Sequence, residues 1–112
     1  MKPYDICDVD RIESIKLTLA DGRARVEVCL FLFNGTAHRI QFNDAHDFDI
    51  WLNCEGKLNI FEVFLDETED GFMLYDECSD SISFHGGPDL ILEPLPVDDR
   101  GRIVGRPVRR TP

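Results

Sequence analysis

Three stretches carry side chains of the kinds that do chemistry. The first is Asp44-Ala45-His46-Asp47-Phe48-Asp49. A histidine between carboxylates can bind a divalent ion or exchange protons with a substrate. A metal site around His46 and Asp47 needs further ligands, and His38 and His85 are the candidates. Polar residues opening a helix or a loop account for the same segment without any function. The second stretch is residues 66–77, DETEDGFMLYDE. Asp66, Asp70, Gly71 and Glu77 stand where a calcium loop has its first, fifth, sixth and twelfth residues. Thr68 and Leu74 are poor at the third and ninth. Such a loop also needs a helix on each side, and both flanks here read as strands. The segment is therefore expected to be an acidic hairpin loop without a cofactor.

The third stretch holds nucleophiles. Ser79, Ser81 and Ser83 sit in no Gly-x-Ser-x-Gly elbow. Cys54 and Cys78 stand beside Glu55 and Glu77, and a neighbouring anion opposes thiolate formation. Gly86-Gly87-Pro88 lacks the following helix that makes a phosphate cradle. No catalytic residue is assigned, and the chain is expected not to be an enzyme.

Charge carries more information than any motif. The net charge is −10, and it is unevenly placed. Residues 1–57 hold ten acids and seven bases. Residues 58–99 hold twelve acids and no Lys or Arg, and residues 100–112 hold five Arg and no acid. Such a field disfavours nucleic acid and anionic membranes as partners and favours a basic protein. The densest acids are Glu62, Asp66, Glu67, Glu69, Asp70, Asp76, Glu77 and Asp80, and the span also carries Phe64, Phe72, Met73 and Tyr75. Aromatics among carboxylates suit a steered protein interface. The eight acids with Phe72 and Tyr75 are the candidate partner-binding set. A solvated face that keeps the chain soluble is the alternative.

The elements that must position them follow from turns and alternation. Asp21-Gly22 and Asn34-Gly35 are hairpin turn signals. A two-residue loop at Asp21-Gly22 sets Ile15, Leu17 and Leu19 against Val28, Val26 and Ala24. It also sets Lys16 against Glu27 and Thr18 against Arg25, which opposite charge favours. At the second turn, a two-residue loop would put Arg39 opposite Leu30. A three-residue loop, Phe33-Asn34-Gly35 with a bulge at Gly35, pairs Ile40 with Val28 and Phe42 with Val26. Burial selects this second register. The meander's core face then carries Ile15, Leu17, Leu19, Val26, Val28, Leu30, Leu32, Ile40 and Phe42, with His38 opposite Leu30. Cys29, Phe31 and Phe33 lie on the other face.

Residues 45–53 follow helical spacing at Phe48, Trp51 and Leu52, so one short helix is expected there, with Trp51 over the sheet. Strands are expected at residues 58–65, 72–76, 81–85 and 90–93, the last closed by Pro94 and Pro96. The fold class is mainly β, with α+β as the variant. It is an antiparallel meander of about seven short strands, closing as a sandwich or a partly open barrel. Residues 1–96 form the single domain, entered through an approach segment at residues 1–10, and residues 97–112 a basic, mobile tail. Four unclustered cysteines and the absence of a signal-like apolar run at the N-terminus suggest a cytoplasmic setting.

In general form the chain resembles the small acidic immunity proteins of bacterial toxin–immunity pairs. The resemblance spans roughly residues 10–92 and rests on DRIESIKLTL, RVEVCLFLF, NGTAHRIQF and the late acidic hairpin. It implies direct binding and neutralisation of a cognate toxin, with no catalytic residues. The expected role is an inhibitor of a basic protein partner, such as a toxin, through residues 62–80. Self-assembly through an edge strand or the arginine tail is the further alternative beside the His46/Asp47 metal site.

Overall fold

The computed structural model describes residues 8–104. Eight strands and no helix occur among them: β1 (Val9–Ala20), β2 (Arg23–Leu32), β3 (Ala37–Asn43), β4 (His46–Ile50), β5 (Val63–Glu67), β6 (Phe72–Asp76), β7 (Ile82–Gly86) and β8 (Leu90–Leu95). They form two four-stranded antiparallel sheets, ordered β1-β2-β3-β8 and β4-β7-β6-β5. The sheets stack and do not close into a barrel. Val26, Val28, Leu30, Ile40 and Phe42 from the first meet Val63, Leu65, Phe72, Leu74, Ile82 and Phe84 from the second in one buried core. Among the described residues no helix is long and apolar enough to cross a membrane.

The first hairpin has the expected register, from Ala20 opposite Arg23 to Ile15 opposite Val28. Asp21 and Gly22 both take positive φ, 55° and 75°, which a type I′ turn requires. In the second, Val28 pairs with Ile40 and Val26 with Phe42. The Leu32 N–H donates to the Thr36 carbonyl and the Gly35 N–H to the Leu32 carbonyl, both at 2.9 Å. Gly35 has φ 90°, so the loop is the three-residue form that burial selects.

Residues 45–53 are not a helix. Asp44 and Asp47 sit at φ 53° and 57°, which interrupts any right-handed turn. His46, Asp49 and Ile50 pair instead with His85, Ser83 and Ile82 of β7. The strand count is eight because this segment is a strand. Residues 58–62 are irregular, with Leu58 and Ile60 packed on the core from outside the ladder. Three side chains expected inside are exposed: Leu17 (56%), Leu19 (71%) and Trp51 (67%). The second sheet does not reach over the end of β1, so its alternation has nothing to face there. His38 is half-buried beside Thr36 Oγ1, 3.2 Å from Nε2. Phe31 is buried, with the Arg11 guanidinium 4.0 Å above its ring.

The chain changes sheets after Asn43. The Ala45 N–H donates to the Ala24 carbonyl (2.9 Å) and the Gly87 N–H to the Asn43 carbonyl (2.7 Å). Gly71, closing the β5–β6 turn, lies hard against this crossing. A Cβ there would overlap the Gly86 carbonyl oxygen and fall within 2.7 Å of Gly87 backbone atoms. Backbone cannot yield as a side-chain tip can. Gly71→Ala is therefore expected to lower stability by about 2–3 kcal/mol, read from denaturant midpoints. An unchanged midpoint would show that the turn relaxes freely.

At the C-terminal end, Val97 bridges Ile103, and Asp98 Oδ1 accepts from the Arg100 and Arg102 N–H groups, both at 2.9 Å. The expectations for residues 1–7, and for the tail beyond residue 104, lie outside the described residues.

Candidate functional site

The outer face of the β4-β7-β6-β5 sheet is built by strand alternation. In β6, Phe72, Leu74 and Asp76 point inward and are buried, and Met73 and Tyr75 point outward. Cross-strand register then writes two rows across the face. One is His46, His85, Met73 and Asp66, and the other is Asp49, Ser83, Tyr75 and Phe64. The histidine rings stack at 5.5 Å, and Phe64 and Tyr75 lie 5.9 Å apart. Two carboxylates of the face hold the aromatics by their polar ends. Tyr75 Oη donates to Asp66 Oδ2 (2.7 Å), and Trp51 Nε1 donates to Asp49 Oδ1 (2.6 Å). The Trp51 N–H extends the ladder to the Ser81 carbonyl (2.8 Å), so the indole stands at the edge of the same face.

Around this face lie the acids singled out by the sequence. Glu67, Glu69 and Asp70 are exposed at its β5–β6 turn, and Glu62, Glu77 and Asp80 are exposed at the opposite end. Asp66 is exposed on the face itself, and Tyr75 is half-buried. Phe72 and Asp76 point the other way. Phe72 belongs to the core, and Asp76 is 2% exposed. Asp76 instead accepts the N–H groups of Phe61, Cys78 and Ser79, so its role is to tie two loops together. Sequence reasoning missed Asp49 and Trp51 as parts of this face, because the helical reading of residues 45–53 hid them and only the strand register puts them beside Tyr75.

Ion pairs between described residues include those of Asp10, Glu13, Asp44, Glu55 and Glu93. None uses an acid of residues 62–89. Arg102 lines a groove of about 860 Å³ on the other sheet's outer face, together with Arg11, Lys16, Arg39 and Glu27. The acidic face therefore has no Lys or Arg neutralising it among the described residues.

Several polar groups on and around this face are engaged in hydrogen bonds. The hydrogen bond to Asp66, then burial and the charges of Asp66 and Glu77, push the Tyr75 phenol up to about 12. The Cys78 thiol donates to Glu62 Oε1 at 3.0 Å and is pushed up to about 11, chiefly by that bond. It stays protonated at neutral pH and is a poor nucleophile. Ser81 Oγ donates to the Asn59 carbonyl at 2.5 Å. Cys29, Cys54 and Cys78 are free thiols. His46 Nδ1 lies 3.0 Å from the Asp44 carbonyl oxygen. Among the described residues no three His, Cys, Asp or Glu side chains are grouped so as to hold a metal ion, and residues 66–77 are a plain strand–turn–strand. No protein-family model, no curated protein and no solved structure matches the chain.

Proposed function

We propose that this protein binds a basic protein partner and that the outer face of the β4-β7-β6-β5 sheet is the docking surface. One observation carries the reading: exposed carboxylates with no Lys or Arg partner among the described residues surround Trp51, Tyr75 and Phe64. Unpaired like charges repel one another, and a protein needing only solubility relieves this by mixing signs. A cationic partner relieves it on binding. The carboxylates steer the encounter, and the aromatics supply the contact energy. The role is inhibition or neutralisation, not chemistry. In the immunity-like form of this reading the partner is a basic toxin, met in the bacterial cytoplasm.

The test pairs capture with a variant. Immobilised protein takes a partner from lysate at low salt, and a salt gradient elutes it. The expected result is one basic protein in stoichiometric amount. With Glu67→Lys and Asp70→Lys together, its association rate is expected to fall roughly tenfold and lose most of its salt dependence. A partner that is not basic, or an association rate and salt slope that the double variant leaves unchanged, rejects the face.

A further inference from the structure

We infer that the outer half of β1 is a self-complementary edge through which two copies of this chain pair, antiparallel and centred on Leu17. This goes beyond the acidic face and uses the other sheet.

A two-sheet stack has four edge strands, and an unguarded edge invites another strand. Three are guarded here. β8 carries Pro94, which has no N–H to offer. β4 is broken by a register shift between His46 and Asp49, with Asp47 at φ 57°. β5 is five residues long and ends in Asp66 and Glu67. β1 is the exception. From Ser14 to Ala20 its register against β2 is unbroken. It holds no proline, and Leu17 and Leu19 are 56% and 71% exposed.

The hairpin register says which backbone groups are unused. In a two-residue hairpin the closing pair, Ala20 and Arg23, exchanges hydrogen bonds, and pairs then alternate. Thr18, Lys16 and Ser14 therefore bond to β2. The N–H and C=O groups of Leu19, Leu17 and Ile15 point to the free edge. These residues also carry the apolar side chains of the inner face.

A two-fold axis at Leu17 sets Leu17 against its own copy and Ile15 against Leu19 of the second copy. All three pairs bring free backbone groups together. The six side chains form one apolar row continuing Val26 and Val28 of β2. On the outer face Lys16 falls opposite Thr18. Centring on Lys16 would oppose two ammonium groups on the outer face and shift Leu19 past Ile15. Centring on Thr18 would push Ile15 against Asp21 in the turn. The preferred register is isologous and closes as a dimer. Phe48 and Ile50 point inward from β4 yet are 42% and 39% exposed. Their strand starts beside Ala24, the partner of Leu19, so the same contact adds cover at that corner.

The experiment is sedimentation velocity on the full chain over a concentration series, with hydrogen exchange read residue by residue. The expected result is a concentration-dependent species of twice the 12.8 kDa chain mass. The Ile15, Leu17 and Leu19 amides should gain protection as it forms. Leu17→Lys opposes two ammonium groups at the axis and should weaken the dimer roughly tenfold or more. Glu67→Lys with Asp70→Lys should leave it unchanged, which separates this inference from the acidic face. A monomer at every concentration overturns the proposal. So does a dimer in which these three amides exchange freely. Protection of the Leu17 amide in a monomer overturns it too, because another segment then occupies the edge. The wild-type exchange data decide the matter even if Leu17→Lys fails to fold.

Discussion

Replacing Asp76 with alanine is expected to lower stability by about 3–4 kcal/mol, because a buried acceptor shared by several donors disappears at once. The carboxylate accepts the Phe61 N–H at 2.6 Å, the Cys78 N–H at 2.9 Å and the Ser79 N–H at 2.8 Å. Those donors belong to the loop entering β5 and the turn leaving β6. Without Asp76 the two loops lose their common anchor. Burial raises the carboxyl pKa, and the backbone N–H bonds from Ser79, Phe61, Cys78 and Glu62 outweigh it, so the net shift is downward. A group whose folded pKa is depressed stabilises the fold above its unfolded pKa, near 3.8. That contribution is lost as pH falls through the lower, folded value. Urea titrations of the wild type should therefore show falling stability on acidification below about pH 4. Asp76→Asn keeps the shape and one acceptor. It should be destabilised at neutral pH and lack this part of the acid dependence. If Asp76→Ala matched the wild type, water would have to be replacing the carboxylate, and the anchoring role would fail.

Asp76 also marks where the sequence stops being legible. In residues 62–80 it looks like any other acid of the run. Its inward parity in β6 is visible, since Phe72 and Leu74 share it. What the sequence does not show is that loop N–H groups converge there, because those donors come from residues 61, 78 and 79. Local information was enough where turn chemistry and alternation agree, as in both N-terminal hairpins and in β6. It failed where one signal stood against tertiary cover. Phe48, Trp51 and Leu52 have helical spacing, but β7 offered Ile50 and Asp49 a ladder. Leu17 and Leu19 alternate as core residues do, yet whether a second sheet reaches them is set by chain-crossing geometry. The acidic face was half legible. Its charge and the aromatics Phe64 and Tyr75 were plain from the sequence, but Asp49 and Trp51 joined it only through cross-strand register.

Truncating Phe84 to alanine should cost about 3–5 kcal/mol, comparable to the loss of Asp76 but by another mechanism. Phe84 is fully buried on β7, an interior strand of its sheet. Its ring meets Phe42 of the opposite sheet edge-on, with centroids 4.8 Å apart and planes at 79°. It also contacts Phe48 at 5.5 Å. The side chain therefore fills the space between the sheets and makes a favourable aromatic pair across it. Alanine leaves a cavity that two hydrogen-bonded sheets cannot collapse into. A double-mutant cycle with Phe42→Ala should return about 1 kcal/mol of coupling, the share owed to the ring pair. Phe48→Ala, at a site that stays partly open to water, should cost clearly less than Phe84→Ala. Because small domains have only about 5–15 kcal/mol in hand, the Phe84 variant should lie close to its unfolding midpoint at physiological temperature. The consequence reaches the proposed docking face. Ser83 and His85 stand on the same strand and hold the middle of both outward rows. Partner capture by the Phe84 variant should therefore be lost when warm and return on moderate cooling, tracking the folded fraction. The association rate of the molecules that remain folded should match the wild type. A variant that folds fully yet binds slowly would mean that the inner packing sets the outer face directly.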